Sequence, residues 1–111
     1  MKLIYWIHIN EKMNRGIKHN THPGEILREE VVKANDLTIL RASELLKITR
    51  PTLSNILNGK AAITPNMAIR IARVFGGSPD IWVRLQTSYE LREAEKDFEN
   101  HPIELKRYES A

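Results

Sequence analysis

The sequence predicts an all-helical domain of five helices, and three observations carry that expectation. Apolar residues recur at three- and four-residue intervals from residue 23 to residue 91, and no stretch alternates in the manner of a strand. Helix-start signals, a Ser or Thr followed within two residues by Pro, stand at Thr49-Arg50-Pro51, Thr64-Pro65 and Ser78-Pro79. Glycines follow two of the resulting segments, at Gly59 and at Gly76-Gly77, where a helix can end in a left-handed turn.

Composition bounds the possibilities. The chain has 111 residues, enough for one modest core, with 41% hydrophobic and 28% charged residues. There is no cysteine, which excludes disulfides, thiolate catalysis and cysteine-ligated metal centres. The net charge of +3 is unevenly placed: residues 1 to 88 carry 13 basic and 7 acidic side chains, residues 89 to 111 carry 4 and 7. A basic body with an acidic tail fits a polyanion-binding face, although an ordinary solvated surface would look similar at this level.

Residues 1–21 read as an amino-terminal arm. The run Leu3 to Ile7 is too short to span a bilayer, and it lacks the small-residue cleavage site of a secretory signal. Met13 to His22 is polar, basic and without period, so it is expected to be flexible. An upstream alternative start would account for the segment before Met13, and a chain beginning there is expected to fold and function like the full one. The competing expectation is that Tyr5 and Trp6 pack on the domain or on a partner.

Residues 22–100 form the helical domain. Pro23 opens the first helix, Glu25 lies in its first turn, and Ile26, Leu27, Val31 and Val32 face inward as far as Asn35-Asp36. Thr38 caps a short second helix to about Leu46, with Ala42, Leu45 and Leu46 inward. Thr49 caps the third. The fourth starts at Thr64-Pro65 and buries Met67, Ala68, Ile71, Ala72 and Phe75. Ser78-Pro79-Asp80 starts the fifth and longest, from Ile81 to roughly Glu99. Residues 101–111 read as a charged, frayed tail.

Ile39 to Asn58 has the spacing of a helix-turn-helix. Counting Ile39 as the first position, Ala42, Leu46, Ile48, Leu53 and Ile56 occupy positions 4, 8, 10, 15 and 18, with the small Ser43 at position 5. These are the sites that must be buried for two short helices to pack across a three-residue turn. The turn glycine usual at position 9 is replaced by Lys47, which can adopt a left-handed conformation at modest cost.

With Leu53, Ile56 and Leu57 inward, the third helix presents Pro51, Ser54, Asn55 and Asn58, flanked by Arg50 and Thr52. Arg matches the guanine O6 and N7 acceptors, and Asn matches adenine N6 and N7. Thr49, the helix amino terminus, Arg41, Lys47 and Lys60 suit phosphate. A plain solvated face is the competing reading, against which spacing, cap, glycine stop and flanking cations weigh together. On the fifth helix Ile81, Trp82, Leu85 and Tyr89 form an apolar stripe, expected to serve both the core and a two-fold contact with a second copy. The histidines His8, His19, His22 and His101 lack the spacing of a metal site and read as loop and cap residues. No catalytic constellation and no cofactor site is found, so the chain is not read as an enzyme.

Several stretches resemble the HigA antitoxin family of Xre-type, lambda-repressor-like helix-turn-helix proteins. They are His22-Pro23-Gly24-Glu25 running on to Glu30, Leu53 to Lys60, Ala61 to Thr64, Ala68 to Gly76, and Trp82-x-x-Leu85-Gln86-x-x-Tyr89. The resemblance covers about residues 19 to 95. It implies a cytoplasmic type II antitoxin that neutralises a RelE-like messenger-RNA endonuclease, HigB, and represses its own operon as a homodimer on double-stranded operator DNA. Arg50 to Asn58 would then be the recognition helix, and the fifth helix would supply much of the dimer contact. The alternatives are a stand-alone Xre-type repressor without a toxin, and an interaction module that no longer contacts DNA.

Overall fold

The computed structural model describes residues 20–109, so most of the expected amino-terminal arm, residues 1–19, lies outside the described residues together with the last two positions of the tail. Five helices follow in order: α1, Pro23–Leu27 continuing as a π-helical segment Arg28–Lys33; α2, Ile39–Leu46; α3, Arg50–Leu57; α4, Pro65–Phe75; and α5, Pro79–Asn100. No strand occurs among the described residues.

Each helix starts with a side-chain cap. The Thr38, Thr49 and Thr64 hydroxyls accept from the backbone N–H groups of Arg41, Thr52 and Met67, and the Ser78 hydroxyl accepts from Asp80. At α1 the cap is His22, whose Nδ1 accepts from Gly24 N–H at 2.8 Å. Such caps are each worth about 1 kcal/mol. They matter here because α2 and α3 have only eight residues apiece, and helices that short do not persist alone in water.

The first helix departs from expectation. Regular α-helix stops at Leu27 and the chain widens into π geometry to Lys33, short of the expected Asn35-Asp36 end. Pairs five residues apart, Ile26 with Val31 and Leu27 with Val32, are all buried. A π turn, with its i→i+5 bonding, brings such pairs onto one side where an α-helix would splay them. Asp36 then takes a left-handed conformation (φ 54°) and turns the chain towards α2.

A single core joins all five helices. Leu27, Val31, Ala42, Leu53, Ala68, Ile71 and Trp82 are fully enclosed. The stripe on α5 is spent mainly inside this core: Trp82 is 0% exposed, Ile81 6% and Leu85 8%. The reason is that α5 packs against both α4 and α1 and has to fill the space between them. Tyr89 is half-buried, its ring edge-on to that of His22 with centroids 4.8 Å apart. Beyond it, residues 90 to 109 are exposed.

Two buried polar groups tie the layers together. Gln86 on α5 accepts from the Ile63 N–H through Oε1 at 2.9 Å, fixing the loop that leaves α3. His22 closes α1 against α5, and burial holds its imidazole below the usual histidine range, with Glu25 and Glu90 opposing that shift.

Two stability tests follow from these groups. Gln86→Leu leaves the Ile63 N–H without its acceptor and should cost about 1–3 kcal/mol, read as a lower midpoint in thermal unfolding. For His22, the folded chain favours the neutral ring more than the unfolded chain does, so its contribution is complete above the unfolded value of 6.5 and is lost as pH falls through the lower folded value. His22→Asn keeps a capping acceptor but cannot titrate. Melting curves between about pH 7.5 and about pH 5.5 should therefore fall less steeply in the variant than in the native chain; parallel curves would exclude His22 as the source.

Candidate nucleic-acid interface

The geometry of α2, the turn and α3 follows from local chemistry. At the end of α2, Lys47 adopts φ 58° and ψ 43°, and its N–H bonds back to the Glu44 carbonyl while Ile48 N–H reaches the Ser43 carbonyl at 3.1 Å. This pairing is a Schellman turn, with Ile48 as its apolar contact. Thr49 is extended and caps α3, and its hydroxyl also lies 2.7 Å from that of Thr52. The chain thus leaves α2, reverses in three residues and starts α3 with satisfied donors.

The inner side of α3 is held by Leu53, Ile56 and Leu57, which are 0%, 3% and 1% exposed. Behind it, α1 approaches to backbone contact. A Cβ added at Gly24 would stand 1.8 Å from the Ile56 carbonyl oxygen, so only glycine fits there. At the far end Gly59 (φ 74°) makes a second Schellman turn, with its N–H on Ile56 and Lys60 N–H on Asn55. Arg28 adds a long bond from Nη1 to the Leu57 carbonyl at 3.3 Å.

The ten residues read as a DNA-contacting set fall on this one motif and its flanks. Arg41, Lys47, Thr49, Arg50, Pro51, Thr52, Asn55, Asn58 and Lys60 are exposed, and Ser54 is half-exposed. Asn58 Nδ2 donates to the Ser54 hydroxyl at 3.3 Å. Asn55 is exposed and makes no side-chain hydrogen bond among the described residues. From Thr38 to Ile63 there are four cations and one carboxylate. That carboxylate, Glu44, sits 3.9 Å from Arg41, an exposed contact of little energetic weight. The face is polar, cationic and rigidly backed, which suits a phosphate backbone and base edges. Among the described residues no group of three His, Cys, Asp or Glu is placed to hold a metal ion, and no helix is long and apolar enough to cross a membrane.

Sequence reasoning quoted Gly24, Gln86 and Arg70 only within the stretches that carry the family resemblance and gave them no part behind this surface. The Gly24 contact, the Gln86 anchor and Arg70 of α4, which bonds to the carbonyls of the helix-turn-helix turn, are set by tertiary approach. A glycine in a helix's first turn is the one signal that pointed to the first of them.

The comparisons with known proteins agree with this architecture. The helix-turn-helix family model HTH_3 matches residues 27–82. The HTH-type transcriptional regulator YddM of Escherichia coli K12 is 38% identical over 70% of this chain and 82% of its own length. The antitoxin HigA of Pseudomonas aeruginosa, solved with the higBA promoter, superposes with a TM-score of 0.72 at 35% identity, over 78% of this chain and 97% of that one. The antitoxin GraA in complex with its operator gives a TM-score of 0.75 at 31% identity, over 86% and 98%. With the family model spanning half the chain and these likenesses extending beyond it, the chain belongs to the Xre-type helix-turn-helix family of transcriptional regulators and HigA-like antitoxins.

Proposed function

We propose that the chain is the antitoxin of a type II toxin-antitoxin pair, which represses its own operon by binding double-stranded operator DNA through α3 and neutralises a HigB-like messenger-RNA endonuclease. The observation that carries the DNA reading is the outward face of α3: base-reading side chains, Arg50, Ser54, Asn55 and Asn58, flanked by the exposed cations Lys47 and Lys60. A protein that acts on its own promoter works in the cytoplasm. The toxin partner rests on likeness to HigA and GraA antitoxins. A stand-alone repressor is the second reading, and the likeness to the regulator YddM favours it.

Reading a palindrome requires two copies of α3 held about 34 Å apart, hence a homodimer. Of the stripe Ile81, Trp82, Leu85 and Tyr89, only Tyr89 retains much free surface, so the contact falls to the half of α5 that follows it. There Leu91 and Phe98, two turns apart on one side, are 59% and 44% exposed. An α-helix running for three solvated turns past its core gains from a second copy.

Three outcomes test these statements. Asn55→Ala should weaken binding to the chain's own promoter by about 1–3 kcal/mol and relax base preference, whereas Lys60→Ala should weaken promoter and unrelated duplex alike and flatten the salt dependence. If both variants lose specific and non-specific binding in equal proportion, base reading does not reside in α3. In sedimentation, the native chain should run as a dimer and Leu91→Asp as a folded monomer; a persistent dimer would move the interface off this face. Coexpression with the neighbouring upstream reading frame should yield a copurifying complex if that neighbour is a toxin, and free chain if the protein acts alone.

A further inference from the structure

Three helices of this chain end in the same left-handed turn, and the residue in the left-handed position differs each time: Asp36 after α1 (φ 54°), Lys47 after α2 (φ 58°) and Gly59 after α3 (φ 74°). In each, the next residue's N–H bonds to a carbonyl in the last turn of the helix: Leu37 to Val32 at 3.0 Å, Ile48 to Ser43 at 3.1 Å and Lys60 to Asn55 at 2.8 Å. Glycine has no Cβ to clash there, and a short Asp is tolerated. Lysine has neither advantage, and the left-handed conformation disfavours it by about tenfold or more in population. Yet Lys47 occupies the one turn of the three that sets the angle between the two helices of the motif.

The compensation comes from α4. Arg70 is half-buried, and its Nη1, which carries two protons, donates to the Leu46 carbonyl and to the Lys47 carbonyl at 2.9 Å each. Its Nε donates to Asn66 Oδ1 at 3.0 Å, which orients the guanidinium plane. The Schellman bonds satisfy the carbonyls of Ser43 and Glu44; Arg70 takes the next pair available, including that of the strained residue itself. The two bonds cannot be made together if Lys47 relaxes to a right-handed or extended conformation, because its carbonyl then swings away from that of Leu46. A fixed cation at the carboxyl end of α2 is favoured by the helix dipole as well.

We propose that Arg70 is a positioning residue for the recognition helix: anchored on Asn66, it clamps the Leu46 and Lys47 carbonyls and so holds the glycine-less turn in the conformation that aims α3. The proposal rests on the DNA-binding reading above for its functional consequence, and on geometry alone for the clamp. It explains how the motif tolerates lysine where a glycine is usual, and it leaves the Lys47 ammonium free for a phosphate.

The test uses the full chain in four forms: native, Arg70→Ala, Lys47→Gly and the double variant. In amide hydrogen exchange followed by NMR, Arg70→Ala should speed exchange at Lys47 and Ile48 by about tenfold, while Ile71 and Ala72 on the same helix keep their protection. Adding Lys47→Gly should restore slow exchange at both turn positions. Fluorescence anisotropy then compares a duplex carrying the DNA immediately upstream of this chain's coding sequence with a shuffled duplex of equal composition. Lys47→Gly alone should weaken both duplexes alike, through loss of a cation. Arg70→Ala should reduce the preference for the promoter duplex by about tenfold when Lys47 is present and by less than about threefold in the Lys47→Gly background, since charge-assisted hydrogen bonds of this kind are worth about one decade. If Arg70→Ala does not fold, Arg70→Met, which keeps the packing of the stem, replaces it. Unchanged exchange at Lys47 and Ile48, or an equal loss of preference in both backgrounds, overturns the proposal. Equal native affinity for the two duplexes refutes the DNA reading instead, and the clamp is then judged on exchange alone.

Discussion

The backbone contact between Gly24 and Ile56 is the constraint on which the rest of the molecule depends. It brings the first turn of α1 against the last turn of α3 with no side chain between them, and this closeness forces several other features. The His22 ring has to cap α1 in the same space, so it is buried and leans on Tyr89. Gly59 has to turn sharply beside that ring, where a Cβ would already be in contact with His22 at 3.6 Å. The chain leaving α3 is then directed to Gln86, which receives the Ile63 N–H. The His22-Pro23-Gly24 opening is therefore the back support of α3 as much as a helix start.

That support is needed because the two helices of the motif are weak by themselves. Eight residues give few intrahelical bonds, and α3 carries β-branched, proline and asparagine residues of modest helical preference. Their stability comes from burying one face of each against the other and against α4 for α2 and α1 for α3, together with threonine caps at both starts. Rigidity on the inner side relieves Arg50, Asn55 and Lys60 of structural duty: all three are exposed, and none of their side chains makes a hydrogen bond or ion pair among the described residues.

Charge is arranged to the same end. The motif and its flanks are cationic, while the half of α5 past the core and the tail carry the acidic excess. The long axis of the described chain, 58 Å against 29 and 27 Å for the other two, reflects that extended α5.

Much of this was legible in the sequence. Threonine and serine caps, first-turn prolines and terminal glycines are local chemistry, decided by residues three or four apart, so the starts of α2 to α5 and the helix-turn-helix register could be read directly. The polar face of α3 followed from the same periodicity. What only the tertiary structure decided are the features made by residues far apart in the chain, together with one that depends on what a helix packs against. The widened turn in α1 arises because residues five apart must share one buried side. The α5 stripe serves the core, since α4 and α1 converge on it, and no count along the helix tells an inward aromatic from one facing a partner. Arg70 looks like any solvent-side arginine until the turn 23 residues before it is folded against α4. Local propensity specifies where each helix begins; the approach of backbones that share no sequence neighbourhood specifies how those helices are aimed.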